Sequence, residues 1–307
     1  MKILLGADGS TFSRIAEELI VRVPTWRSAE VVCASVAPSL ALLFSPDPLL
    51  GAATADVAVE AYESAKRLAK DHAEAAASRL SDRGWKASTA LLEGDPGGEL
   101  LDFGERNEID LIAIGSRGLG TVESFLLGSS ARKLAAHARC HVLIGRAFKG
   151  KSPEETLQSL RRDAKLEVAV GVDGTAGAQT AADFVKSQGE NAFEKLVAVC
   201  AEPLSVVPAG VDPSVFADLY KYDHERATAI AKRNAEALKS SAPQVVSETE
   251  LGRPAAAIGK VAQKHGIELI VVGATRHGTL ERFLIGSVSH ELASDGPCSV
   301  LIVRPAR

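Results

Sequence analysis

Short, continuously apolar runs alternate with helical-period stretches along the whole chain. Ile3-Leu4-Leu5 has the pattern of a buried strand that stops at Gly6. Residues 11–23 carry Ile15, Leu19 and Arg22 at helical spacing, and residues 31–36 return to a strand pattern. Residues 56–83 place Ala61, Ala65, Leu68, His72, Ala76 and Leu80 on one side of a long helix. A third strand is predicted over 88–92, and a short helix after Pro96 carries Leu100 and Phe103. Residues 109–114 and 142–144 complete a set of five strands. The later part of the chain repeats the scheme, with strands predicted over 168–170, 196–199, 245–247, 269–272 and 300–303. Apolar strands separated by helices imply α/β architecture, a parallel sheet covered on both faces.

The repetition extends to individual residues. Leu111-Ile112-Ala113-Ile114-Gly115, Gly120-Thr121, Glu123, Phe125-Leu126 and Gly128-Ser129 return at a shift of 158 as Leu269-Ile270-Val271-Val272-Gly273, Gly278-Thr279, Glu281, Phe283-Leu284 and Gly286-Ser287. Cys140 and Arg146 likewise return as Cys298 and Arg304. Near the start the shift is 165: Gly6-Ala7-Asp8-Gly9-Ser10 becomes Gly171-Val172-Asp173-Gly174-Thr175, and Pro38 becomes Pro203. A period of this length is a duplicated domain rather than a solenoid. The expected organisation is a domain over 1–147, a linker over 148–164 and a second domain over 165–307. The linker is charged, and Pro153 after Ser152 marks the start of a short helix over 153–162.

Composition removes several function classes. Thirty-five basic and 39 acidic residues give a net charge of −4, without the basic footprint of a nucleic-acid binder. No apolar run reaches the ~18 residues of a membrane span, and residues 1–7 lack a signal-peptide pattern. Cys33, Cys140, Cys200 and Cys298 form no C-x-x-C pair, so they read as small buried hydrophobes in a reducing cytoplasm. Residues 38–54 are unusually apolar, with Leu40, Leu42, Leu43, Phe44, Leu49 and Leu50. This connection reads either as packing against its own domain or as an interaction surface or lid. Its counterpart spans 202–214.

Candidate chemistry sits where strands end. Open parallel sheets bind ligands beyond the carboxyl ends of their strands, where strand order reverses. Asp8-Gly9-Ser10 follows the first strand. Gly115-x2-Gly118-x9-Gly128-Ser129 follows the fourth and opens a helix. Glycines permit close approach of backbone N–H groups to phosphate oxygens, and a helix N-terminus favours an anion. Ser129 adds a donor and Arg117 a cation, whereas Asp8 suits a ribose hydroxyl. The competing reading is that these glycines only make turns.

This combination, with Glu93-Gly94-Asp95-Pro96 before the third helix, resembles the ATP-binding signature of the universal stress protein family. The resemblance covers both halves. It implies doubly wound, Rossmann-like five-stranded sheets, in the manner of adenine-nucleotide alpha hydrolases, with strand order 3-2-1-4-5 and a crevice between strands one and four. It implies that Asp8 contacts the nucleoside and that Val36 meets adenine. Ile114 and Gly115 would line base and ribose, and Gly118, Gly128, Ser129 and Ser130 would hold the phosphates. The ligand implied is ATP, with or without Mg2+. It also implies that the two fifth strands pair between the halves. A homodimer of the whole chain is compatible with the sequence.

The corresponding set in the second half is Asp173, Ala201, Val272, Gly273, Arg276, Gly286, Ser287 and Val288. Arg276 replaces the second glycine. Its side chain either fills the site, so that no ATP binds, or swings out to pair with phosphate. Ala201 gives a looser adenine wall than Val36.

The chain shows no catalytic constellation. It has no Walker loop and no Gly-x-Ser-x-Gly elbow. His72 reads as a packed or solvated helix residue, His137 and His141 straddle a helix end and a strand, and His277 lies in the second loop, either solvated or within reach of phosphate. The expectation is a non-enzyme, with at most slow hydrolysis, in which ATP is a regulatory ligand of a stress response. The alternatives are a nucleotide-free scaffold and an adenylyl-transfer enzyme.

Overall fold

The computed structural model describes residues 1–39, 51–118, 127–203, 217–274 and 286–305. The 38–54 and 202–214 connections lie largely outside these residues, so their role as lid or surface does too. Arg276 and His277 also lie outside the described residues.

The first half runs β1 (Lys2–Gly6), α1 (Thr11–Val21), a 3₁₀ turn (Pro24–Ser28), β2 (Glu30–Ala37), α2 (Gly51–Asp82), β3 (Lys86–Glu93), α3 (Pro96–Arg106), β4 (Leu111–Gly115), α4 (Ser129–His137) and β5 (His141–Gly145). After α5 (Pro153–Leu160), the second half runs β6 (Glu167–Gly171), α6 (Ala176–Ser187), β7 (Lys195–Glu202), α7 (Ala217–Ala237), β8 (Gln244–Leu251), α8 (Pro254–His265), β9 (Leu269–Gly273), α9 (Ser287–Asp295) and β10 (Ser299–Val303).

The strand order is β3-β2-β1-β4-β5-β10-β9-β6-β7-β8 in one ten-stranded sheet. Each half therefore reads 3-2-1-4-5. Strands within a half are parallel, and β5 and β10 meet antiparallel, with Leu301 opposite Leu143. Among the described residues, the strand direction reverses only at this seam.

Both faces of the sheet are covered, which is why the inner strands such as β1, β4, β9 and β10 are apolar in continuous runs rather than at alternate positions. Ile3 and Leu5 join one buried cluster, and Leu4 joins the other. Both clusters continue through the second half, with Val168 and Val170 on one face and Ala169 on the other.

Polar groups tie the halves together across the seam. The Arg146 guanidinium donates to the carbonyls of Ala293 and Ser294 at the end of α9. Arg304 does the same for Ala135 in α4. The two carbonyls at 135 and 293 are related by the same shift of 158, as are the two arginines. Cationic donors at helix C-termini satisfy otherwise open carbonyls and oppose the negative end of the dipole. On the other face, Arg22 pairs with Glu268 at 2.8 Å, with both side chains buried, and donates to the carbonyls of Ala164 and Lys165. The Trp26 indole N–H donates to Gln188 Oε1 at 2.9 Å.

The charged linker is not an extended tether. Ser152 and Glu155 form a reciprocal capping box at the start of α5. Leu157 and Leu160 are buried there.

Candidate functional site

The site begins with the turn after β1. Asp8 Oδ1 accepts from the Ser10 N–H at 3.0 Å and from its hydroxyl at 2.6 Å. Ser10 in turn caps α1, accepting from the Ser13 N–H at 3.1 Å. These bonds fix the carboxylate at the strand end. Its other oxygen, Oδ2, faces Gly118: a Cβ added at Gly118 would lie 2.7 Å from it.

The loop after β4 is fixed as closely. Ser116 N–H donates to Gly145 O, and Gly128 N–H donates back to Ser116 O at 2.8 Å. Gly128 then caps α4 without a side-chain hydrogen bond, and no acidic residue lies in the helix's first turn. The positive end of α4 is therefore not neutralised by its own side chains. Arg117 stacks over the Phe12 ring, with its guanidinium carbon 5.7 Å from the centroid.

A cavity of about 450 Å³ opens between these loops. Such a volume falls within the range of small-molecule sites. Asp8, Val36, Ile114, Gly115, Arg117, Gly118, Gly128, Ser129 and Ser130 all line it. The cavity thus brings together the whole first-half set singled out in the sequence. Its apolar wall adds Leu100 from α3 and Ala65, Leu68 and Ala69 from α2.

Sequence reading missed this contribution from α2. The sequence pattern places Ala65, Leu68 and His72 on one side of the helix and gives His72 a packed or solvated role. Nothing in the sequence sets Leu68 apart from the rest of its stripe; in the structure it remains 52% exposed, so the core does not absorb it. His72 belongs to the cavity as well. Its ring lies against Gly9, whose φ of +78° and lack of a side chain admit it.

The second half places Asp173, Ala201, Val272, Gly273, Gly286, Ser287 and Val288 on the corresponding strand ends and on α9. Asp173 is exposed and accepts from the Thr175 N–H at 2.8 Å. Ala201 is half-buried, Val272 is buried and Gly273 is half-buried at the end of β9. Gly286 caps α9 without a side-chain bond, and Ser287 and Val288 form its first turn. At the shift of 158, Ala65, Leu68, Ala69 and His72 correspond to Asp223, Arg226, Ala227 and Ile230. Ile230 occupies the place of His72, with its Cδ1 3.6 Å from where a Gly174 Cβ would stand. The α7 wall is thus more polar than the α2 wall.

Together, the sheet order and the first-half cavity define a tandem α/β protein with a crevice at a topological switch point. The universal stress protein family model matches residues 1–146 and 167–304. The chain belongs to that family. A universal stress protein of Mycolicibacterium smegmatis is 22% identical over 99% of this chain and 97% of its own length. One of Mycobacterium tuberculosis is 25% identical over 98% of this chain and 94% of its own. The fold is shared with a universal stress protein structure from Archaeoglobus fulgidus, with a TM-score of 0.60, 20% identity, and coverage of 99% of this chain and 98% of that one.

Proposed function

We propose that the protein binds one ATP per chain, in the first-half crevice, as a regulatory ligand of a stress response rather than as a substrate. The observation that carries this reading is the α4 N-terminus. It is uncapped by any side chain and opens into the same cavity as Asp8 and an apolar wall. Backbone amides at Ser129 and Ser130, with their hydroxyls, suit phosphate oxygens. Hydrogen bonds to a charged acceptor contribute about 1.5–3 kcal/mol each, and the helix end adds ~0.3–1 kcal/mol. Asp8, positioned by Ser10, is the natural acceptor for ribose hydroxyls. Val36, Ile114, Leu68 and Leu100 offer an apolar slot for a base. Mg2+, where it accompanies ATP, would neutralise part of the phosphate charge.

The second half is proposed not to bind ATP, because Arg276 replaces its loop glycine and its α7 wall carries Asp223 and Arg226. Absence of turnover is part of the proposal. The cavity's imidazole, His72, sits against Gly9 beside Asp8, in the nucleoside region of the proposed pose. A cytoplasmic location, usual for the family, belongs to the same reading.

The test is Gly118→Asp. Its new Cβ would meet Asp8 Oδ2 at 2.7 Å, and its charge would oppose phosphate. ATP affinity should fall by more than about tenfold, or roughly 1.4 kcal/mol. Affinity unchanged within about twofold would remove this loop from the site.

A further inference from the structure

A second cavity, of about 280 Å³, lies at the seam between the halves. It is lined by Ser116 and Arg117 from the loop after β4, Arg146 after β5, Lys149 and Lys151 from the linker, and Asp295 at the end of α9. It is therefore built from three parts of the chain that no single domain contains.

Two buried polar groups in its wall lack hydrogen-bond partners among the described residues: Ser116 Oγ and Arg146 Nε. Ser116 is 1% exposed and Arg146 8%. They come off neighbouring strands, and Ser116 N–H donates to Gly145 O at 2.7 Å, so the two side chains start side by side. Arg146 Nη2 is engaged, donating to Ala293 O and Ser294 O. These bonds anchor one end of the guanidinium and leave Nε buried without a partner among the described residues. A buried N–H and a buried hydroxyl left open are costly, about 1–3 kcal/mol each and more for a charged group.

The electrostatics point the same way. Four lining side chains are cationic and one, Asp295, is acidic. Burial disfavours the charge on Arg146, the neighbouring Arg117 disfavours it further, and Asp295 opposes both. An oxyanion would satisfy both open donors and offset the crowding of positive charge.

We propose that this seam cavity is an anion site for a small phosphate-class oxyanion, held by Ser116 Oγ, Arg146 Nε and the Lys149 and Lys151 ammonium groups. The Asp295 carboxylate also lines the cavity and favours the less charged forms of such a ligand. Arg117 lines both this cavity and the crevice, while the other three cations do not line the crevice. The site does not require that ATP fills the crevice.

Inorganic phosphate is the probe, titrated calorimetrically into the full chain and three variants. Gly118→Asp alters the crevice and should leave phosphate binding unchanged. Ser116→Ala removes one donor, and Lys151→Glu reverses an exposed charge. Each should weaken phosphate by about fivefold or more, with the thermal midpoint of Lys151→Glu unchanged as a check on folding. Loss of phosphate binding in Gly118→Asp would assign the anion to the crevice and overturn the proposal. So would unchanged affinity in both other variants, or no binding to the wild type at millimolar phosphate. A chain that binds phosphate but not ATP would sink the nucleotide reading and leave this one standing.

Discussion

Gly115 and Gly118 are glycines for reasons internal to the protein. A Cβ on Gly115 would stand 2.7 Å from the Ser13 backbone nitrogen, because β4 ends against the start of α1. Gly115→Ala should therefore cost about 1–3 kcal/mol in urea unfolding, whatever the crevice holds. A loss below ~0.5 kcal/mol, typical of an indifferent surface site, would contradict that packing. Gly118 instead faces Asp8, so its substitution belongs to the ligand test. The buried Arg22–Glu268 pair makes a second prediction. Glu268 Oε1 accepts from Arg22 at 2.8 Å and from Arg162 at 3.1 Å, and Oε2 accepts from the Glu167 N–H. Glu268→Ala leaves a buried guanidinium uncompensated and should cost about 3–5 kcal/mol. The motif residues were legible in the sequence because glycine spacing is local. The Arg22–Glu268 and Trp26–Gln188 contacts were not, because nothing local in a sequence marks residues 246 and 162 positions apart as partners.

At the scale of elements, the buried strands were legible and the edge strands less so. Residues 245–247 carry the apolar signal in β8, yet the strand runs Gln244–Leu251 through Glu248, Thr249 and Glu250. An outermost strand has one solvent-facing edge, and polar residues there discourage pairing with another chain. The same polarity hides the strand from a hydrophobic pattern. The periodic signal of α2 begins at residue 56, whereas the helix begins at Gly51, because the small residues between carry no period. The linker helix was legible through Ser152 and Pro153. Its box joins the Ser152 hydroxyl to the Glu155 N–H at 3.1 Å, and the Glu155 carboxylate to the Ser152 N–H at 2.7 Å. Ser152→Ala should cost about 1 kcal/mol, read as a lower urea midpoint. An unchanged midpoint would mean that α5 contributes nothing to the folding unit.

For the whole molecule, the seam carries a pH dependence. His141 Nδ1 accepts from the Arg304 backbone N–H at 3.1 Å, and its ring meets Phe184 edge-on at 4.7 Å. Burial holds this imidazole at a pKa of about 4, with Arg304 lowering it further and Asp110 opposing. Between its ordinary value of 6.5 and about 4, the unfolded chain takes up a proton that the native chain refuses. Stability is then fully retained above pH 6.5 and declines as pH falls toward 4. His141→Gln should flatten that decline in unfolding midpoints measured across this window; an identical decline would place its cause elsewhere.

The central claim is that the start of α4 opens into a crevice that holds one triphosphate per chain. Calorimetric titration of the full-length protein with ATP reads this directly. The expected isotherm saturates at a single nucleotide per chain. No heat at millimolar ATP, or two equivalent sites, would contradict it.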